Sequence, residues 1–374
     1  MLNSKIALFL TLYMVATFVT EAAKTSYSQS TRVLSDLKFK TLSTIDGLPT
    51  NEVQKTFQDK EGFIWFATRS GLCKYDGYTI LTYNSNQHPA HSLPSNNIFC
   101  IDDDSNYNLW IGTYNGISRF NKQSGKFEQI EIQNTTNKVV YCLSVTKDND
   151  IWIGMDDGLF KYDTSKNIFT HHSIHNIGND KITAPVKSIY EDSKGEIWIG
   201  TWNSGLYRYS SSKNVLYSYP ILNPRNSAHV VFEDSMHNIW VGTWDNGLHL
   251  LENPYEIENL KIRTFKHNKN DSTSLSDNIV YDICEDLNTN SLWIGTRSGL
   301  SILDYNNPIE FINYSSDHKT NRLPTNEINS ITRDNEGSIW VGTIGGGTLF
   351  TNTEASKFDF IEPKLPDIPT GSIK

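Results

Sequence analysis

A tryptophan recurs seven times in one short phrase, roughly Ile-Trp-Ile-Gly-Thr-x-x-Gly-Leu, at Trp65, Trp110, Trp152, Trp198, Trp240, Trp293 and Trp340. The intervals are 45, 42, 46, 42, 53 and 47 residues. Self-similarity at a period of about 40 to 50 residues means a repeat architecture, and it constrains the fold more than any other feature. A residue type present in every repeat is there to pack, so the pattern also argues against these tryptophans as catalytic groups.

Each tryptophan is preceded by a second pattern, as in Val53-Gln-Lys-Thr-Phe-Gln-Asp59, Val186-Lys-Ser-Ile-Tyr-Glu-Asp192 and Ile328-Asn-Ser-Ile-Thr-Arg-Asp334. These read as short strands that end in an aspartate. The turns that follow, such as Asp59-Lys-Glu-Gly62 and Asp192-Ser-Lys-Gly195, are hairpin turns. In them the aspartate bonds forward to the backbone and the glycine takes a positive φ. The tryptophan strand comes next. A glycine (Gly71, Gly116, Gly158, Gly205, Gly247 and Gly299) then opens a third strand, and stretches such as Tyr78–Tyr83, Lys126–Ile132 and Val215–Tyr219 supply a fourth.

Four short antiparallel strands, repeated seven times, predict an all-β, seven-bladed β-propeller of four-stranded antiparallel blades. A solenoid is the rival, but hairpin-linked strands and a repeat count between about four and eight favour blades. The tryptophan would fill the gap between one blade and the next. Leu37-Lys-Phe-Lys-Thr-Leu42 reads as an outer strand placed before the first repeat, and Phe358–Ile361 as another after the last. Residues 37–42 are therefore expected to complete the seventh blade and close the ring, because an open ring leaves aggregation-prone edges. The expected propeller spans 36–361. Ile368-Pro-Thr-Gly-Ser-Ile-Lys374 matches Leu323-Pro-Thr-Asn-Glu-Ile-Asn329, so 362–374 read as the start of an interrupted eighth repeat.

At the N-terminus, Lys5 precedes an apolar run from Ile6 to Val19 and then small residues. This fits a signal peptide over 1–23, with a linker over 24–35. The run falls short of the roughly 20 residues of a membrane span, so a retained anchor is the weaker alternative. The expected location is periplasmic. The net charge of −9 and pI of about 5.6, without any basic stripe, exclude a nucleic-acid-binding surface in this region. Cys73, Cys100, Cys142 and Cys284 show no local pairing motif and read as buried thiols. A Cys100–Cys142 bridge is the open alternative.

The phrase Leu-Pro-[Ser/Thr]-Asn-x-[Val/Ile], at 48–53, 93–98 and 323–328, leads into Asp-x-x-Gly-x-Ile-Trp-Ile-Gly-Thr-x-x-Gly-Leu. This combination resembles the two-component regulator propeller repeat found in hybrid two-component system sensors of Bacteroides-type bacteria. The resemblance covers residues 37–374. It implies an exported sensor module, accompanied in a full-length protein by a second propeller and a membrane-anchored kinase half. It also implies a polysaccharide breakdown product, an oligosaccharide, as ligand, and it leaves room for a homodimer. No kinase histidine motif or ATP-binding glycine box occurs here, so kinase activity is not expected of these residues.

The loops between second and third strands gather on one face of a propeller, around its central channel, and differ from blade to blade. They supply the candidate binding residues Arg69, Tyr114, Asp156, Trp202, Asn203, Trp244, Asp245 and Arg297. Trp202 and Trp244 are the only tryptophans outside the repeat column, and they fall in adjacent blades. Aromatic faces stack on the C–H face of a pyranose, while amides, carboxylates and guanidinium groups bond its hydroxyls. The competing readings are that the two indoles pack on each other or against another domain, and that Arg69 and Arg297 form ion pairs with aspartates of neighbouring loops.

Asp102–Asn106 and Asp286–Asn290 resemble calcium-loop starts, but Thr113 and Arg297 stand where the twelfth-position acid should be. His171, His172 and His175 lack a placed metal-binding partner. Gly345-Gly-Gly347 lacks the helix of a phosphate loop. No catalytic residue, metal or cofactor is therefore expected. A propeller lyase or hydrolase acting on glycans and a non-catalytic interaction scaffold remain as alternatives to the sensor, because propellers host all three.

Overall fold

In a computed structural model, residues 34–353 are described apart from 87–91, 133–134, 136, 165, 167, 172–181, 183, 220–226 and 320–321. Seven four-stranded antiparallel sheets follow one another around a ring, and helix among the described residues is limited to two 3-10 turns and the helical pair Leu34 and Ser35. This is the seven-bladed propeller that the repeat predicts. The expected signal peptide, the strand at 358–361, the tail at 362–374, and His172 and His175 lie outside the described residues.

The innermost strands of the blades are Val53–Gln58, Ile98–Asp103, Val140–Val145, Val186–Glu191, Ala228–Glu233, Val280–Asp286 and Ile328–Arg333. The fourth strand of blade one is shorter than the sequence suggests, Ile80–Tyr83, because Asp76 accepts from the N–H groups of Tyr78 and Thr79 and holds them in a turn. In blade two the fourth strand ends at Ile130 rather than 132.

The core is divided into seven clusters, and each joins one blade to the next. Trp65 packs on Ile98, Leu109 and Ile111 of blade two, and Trp198 on Ala228, Ile239 and Val241 of blade five. Trp340 packs on Val53, Ile64 and Phe66 of blade one, which completes the circle. Every repeat tryptophan is buried. Nearer the axis the blades must converge, and the Gly of Gly-Thr makes that possible. A Cβ on Gly200 would stand 2.4 Å from Ser188 Oγ and 2.6 Å from the Ala228 carbonyl oxygen of the next blade.

The aspartate that ends the first strand has a second role that its turn position did not reveal. Asp59 accepts from the backbone N–H groups of Glu61 and Phe63 through one oxygen, and from Trp65 Nε1 at 2.8 Å through the other. Asp104, Asp192, Asp234 and Asp334 hold Trp110, Trp198, Trp240 and Trp340 in the same way at 2.8–3.0 Å. Blade six has one more residue in this turn, and Trp293 Nε1 donates instead to Ser291 Oγ. The carboxylate thus satisfies a buried donor that would otherwise be costly.

A further set of bonds stitches neighbouring blades on this turn face. Glu233 accepts from the Ser193 N–H, Glu285 from the Ser235 N–H, and Asp103 from the Lys60 N–H. Gln58 accepts from the Asn335 N–H at 2.7 Å, so the same contact closes blade seven on blade one.

The outer strand of blade seven is Lys40–Leu42, paired antiparallel to Thr348–Asn352 with Thr41 opposite Leu349. It is three residues long, not six, because Leu37 turns inward. Leu34 and Leu37 are buried in the cluster around Trp293, and the Tyr314 hydroxyl donates to the Leu34 carbonyl and accepts from the Leu37 N–H. All four cysteines are free thiols, so the Cys100–Cys142 bridge is not formed. Burial pushes Cys73, Cys142 and Cys284 up to about 12.

Candidate ligand-binding site

On the face opposite these turns, the second-to-third-strand loops meet the segments that enter the first strands. The N–H of Trp202 donates to the Pro185 carbonyl, that of Trp244 to Ser227, and that of Arg297 to Ile279. The loop also reaches the next blade, as when Gly247 N–H donates to the Asn278 carbonyl. These bonds fix the loops around the mouth of the channel.

Each first strand carries a β-bulge at its second residue, shown by a register shift against the tryptophan strand in all seven blades. The residues set into these bulges are Gln54, Phe99, Tyr141, Lys187, His229, Tyr281 and Asn329. A bulge re-aims a side chain, and here the side chains meet from blade to blade. Phe99 lies 6.0 Å from Tyr141 between ring centroids, and the Lys187 ammonium stands 3.0 Å from the centroid of Tyr141. His229 lies 5.7 Å from Tyr281, and Asn329 Nδ2 donates to Gln54 Oε1 at 2.9 Å.

Trp202 and Trp244 join this ring from the loops above. Their centroids are 5.0 Å apart and their planes meet at 68°, edge to face. Trp244 also lies 5.6 Å from His229 and 5.9 Å from Tyr281, and Lys187 stands 5.8 Å from Trp202. The result is a wall of rings from blade two to blade six, bridged between Tyr141 and Trp202 by the Lys187 ammonium. The indoles do pack on each other, yet Trp244 keeps 36% of its surface exposed.

The remaining candidates fall into two groups. Asp156 accepts from Asn137 Nδ2 and lies beside Tyr141, whose hydroxyl is pushed up to about 12 by burial and by that carboxylate. Asn203 is exposed, with φ 60, and its N–H donates to Ser227 Oγ. Asp245 and Tyr114 are exposed on their loops. Arg69 and Arg297 are ion-paired, but not to aspartates of neighbouring loops. Their partners belong to the entry segments of their own blades, Glu52 at 3.1 Å and Asp277 at 3.2 Å. Arg69 thus sits across the ring from the indole pair, whereas Arg297 lies close enough to Tyr281 to lower its pKa, against a burial that raises it to about 12.

Sequence reasoning missed the bulge residues altogether. The one available signal was a column that varies from blade to blade directly after the invariant apolar residue of Val53, Ile98 and Val140. His229 is the most perturbed of them: burial, then the Lys187 charge, push it down to about 4. Seven buried side-chain polar atoms lack a hydrogen-bond partner among the described residues, and five are on first strands or their entries: Asn97 Oδ1, Ser188 Oγ, His229 Nδ1, Asn329 Oδ1 and Arg333 Nε. No grouping of three or more metal-ligating side chains occurs among the described residues.

The model of the two component regulator propeller matches residues 47–70, 92–115, 180–203 and 322–345, which are blades one, two, four and seven from entry segment to loop. A segment of 59 residues is 41% identical to histidine kinase P4 of Formosa agariphila, covering 16% of this chain and 4% of that protein. Among solved structures, one described as the extracellular domain of a hybrid two component system from B. thetaiotaomicron superposes with a TM-score of 0.69 at 24% identity. The alignment covers 84% of this chain and 42% of that one. A virginiamycin B lyase from Staphylococcus aureus, solved with quinupristin, superposes with a TM-score of 0.63 at 15% identity, over 84% of this chain and 98% of the lyase. At these identities the two superpositions establish the fold alone. Four of the seven blades thus carry a repeat that matches the two component regulator propeller model, and the seven-fold tryptophan phrase runs through all seven.

Proposed function

We propose that this chain is an exported ligand-sensing propeller of a two-component signalling receptor, and that it recognises an oligosaccharide released by polysaccharide breakdown at the channel mouth. The observation that carries this reading is the aromatic wall built from Trp202, Trp244, His229, Tyr281 and Tyr141. Trp244 offers a half-open ring for stacking on a pyranose. Among the bulge side chains, His229 Nδ1, next to Trp244, and Asn329 Oδ1, two blades on, have no hydrogen-bond partner among the described residues, and sugar hydroxyls would supply one.

The reading is of binding rather than chemistry. At the mouth, Tyr141 and Tyr281 are pushed up to about 12 and His229 down to about 4, which leaves none of the three poised near neutrality for proton transfer. The kinase half and the membrane anchor belong to this proposal through the family, as do the periplasmic location and a homodimeric receptor.

The test is a thermal-shift screen of oligosaccharides from diverse glycans, with Trp202→Ala and Trp244→Ala alongside. Binding to the native state alone raises the melting temperature. The proposal expects at least one oligosaccharide to do so, and expects the Trp244→Ala variant to lose most of the shift. A shift that both variants keep would move the site elsewhere. A screen without any shift would leave the scaffold reading in its place.

A further inference from the structure

Five cations stand on the first strands or the second-to-third-strand loops among the described residues: Lys55, Arg69, Lys187, Arg297 and Arg333. Four have a carboxylate within ion-pair reach. Lys55 meets Asp282 at 2.7 Å, Arg69 meets Glu52 at 3.1 Å, Arg297 meets Asp277 at 3.2 Å and Arg333 meets Asp286 at 3.5 Å. Lys187 has no such partner among the described residues. Its ammonium lies over the Tyr141 ring at 3.0 Å and faces Trp202 at 5.8 Å, so aromatic faces take the place of a counter-ion. The charge of Asp156 acts on it from beyond ion-pair reach, and that carboxylate is already engaged by Asn137 Nδ2.

A half-buried ammonium without a counter-ion is costly to keep, and burial accordingly lowers the Lys187 pKa. In a chain of net charge −9, where the other four cations of the first strands and loops each meet a carboxylate, it is a positive point beside the indole pair held by aromatic faces instead. The bulge in Val186–Glu191 sets it there, directly below the Trp202 loop.

We propose that Lys187 is the anion-recognition residue of the channel mouth, so that the ligand is an acidic oligosaccharide whose carboxylate or sulfate ester pairs with its ammonium while a neighbouring sugar ring stacks on Trp244. This rests on the oligosaccharide reading above and adds the charge class to it. Tyr141 and Trp202 hold the ammonium in place, and the incoming anion supplies the counter-charge that the other four cations already have.

The experiment is calorimetric titration of the full chain with three probes of equal length: an oligogalacturonate, a sulfated but uronate-free galactan oligosaccharide, and a neutral galacto-oligosaccharide. Native protein is compared with Lys187→Gln, Lys187→Arg and Trp244→Ala, each checked for native melting. The expected result is that one acidic probe binds, that the neutral probe binds at least ten-fold more weakly, and that Lys187→Gln loses at least ten-fold in affinity. Lys187→Arg should keep most of the affinity, and raised salt should weaken native binding more than Lys187→Gln binding. Which acidic probe binds identifies carboxylate or sulfate as the anion. If Lys187→Gln binds the acidic probe as tightly as native while Trp244→Ala does not, the anion inference falls and the sugar site stands. If the neutral probe binds best, the inference is again overturned and the sugar reading stands. If none of the three binds, both fall for these glycans.

Discussion

The indole of Trp244 meets that of Trp202 edge to face at 5.0 Å, and a pair that looks like two separate platforms in sequence is one surface in the fold. Because Trp244 is also in contact with His229 and Tyr281, its free surface is oriented by three neighbours. A contact surface held in this way binds with little further ordering cost.

Framework and mouth tryptophans should respond differently to truncation. Trp198 is fully buried against blade five, so Trp198→Ala removes a large packed side chain and is expected to cost about 3–5 kcal/mol. Trp244→Ala removes a partly exposed ring, and the loss of its aromatic contacts is expected to cost about 1 kcal/mol. Urea unfolding of the two variants checks this. Equal losses would mean that Trp244 is part of the scaffold.

The carboxylate beneath each repeat indole can be tested at Asp192. One of its oxygens accepts from both Trp198 Nε1 and the Tyr255 hydroxyl at 2.8 Å, while the other takes the N–H groups of Lys194 and Glu196. Replacement by Asn turns an amide donor towards buried donors, with an expected loss of about 3 kcal/mol. Denaturant melts of Asp192→Asn against the native protein measure it. A loss under about 1 kcal/mol would show that the turn geometry, not the carboxylate, positions the indole.

Two histidines set an acid dependence. His249 is buried, with its Nδ1 paired to Thr264 Oγ1, and burial pushes it down to about 4. A folded-state value below the unfolded 6.5 means that the unfolded chain takes up the proton first. Stability therefore falls as pH drops from 6.5 towards 4, by about 3 kcal/mol for His249. His229, also near 4, acts in the same direction. Asp102, raised by burial to about 7, opposes them, because its folded form holds a proton that the unfolded form releases above 3.8. Melting temperatures between pH 4 and 7 for native and His249→Gln isolate the His249 contribution. The variant should show a flatter decline on the acid side, and an unchanged profile would contradict the assignment.

Ring closure is open to the same kind of test. A chain lacking residues 34–42 loses the strand against Thr348–Asn352 and the buried Leu34 and Leu37. It should expose an open sheet edge and self-associate. Light scattering of purified native and shortened proteins at matched concentration measures this. A monodisperse shortened protein would mean that the stitches from Gln58 to Asn335 and from Gln54 to Asn329 close the ring without it.

Much of the architecture was legible because the repeat reports on itself seven times. Trp65 and its counterparts, Gly62 in its turn and the opening Gly71 each follow from a local rule that holds in most blades. What was illegible involves partners distant in sequence. Arg69 could be seen as a cation, but its pairing with Glu52 depends on how the entry segment lies beside the loop. Lys187 and His229 sit on strands that read as framework, and only the bulge turns them to the mouth. Trp202 and Trp244 stood out because they break the column. Their contact with each other depends on the curvature of the ring, which a single repeat does not encode.

The most direct measurement is hydrogen exchange on the native chain, with and without the oligosaccharide that gives the largest thermal shift. A site at the channel mouth slows exchange in the loops at 202–205 and 244–247 and in the first strands from Val186 and Ala228, and leaves the Asp59 and Asp334 turn face unchanged. Slowing confined to the turn face or to the outer strands would contradict a binding site at the channel mouth.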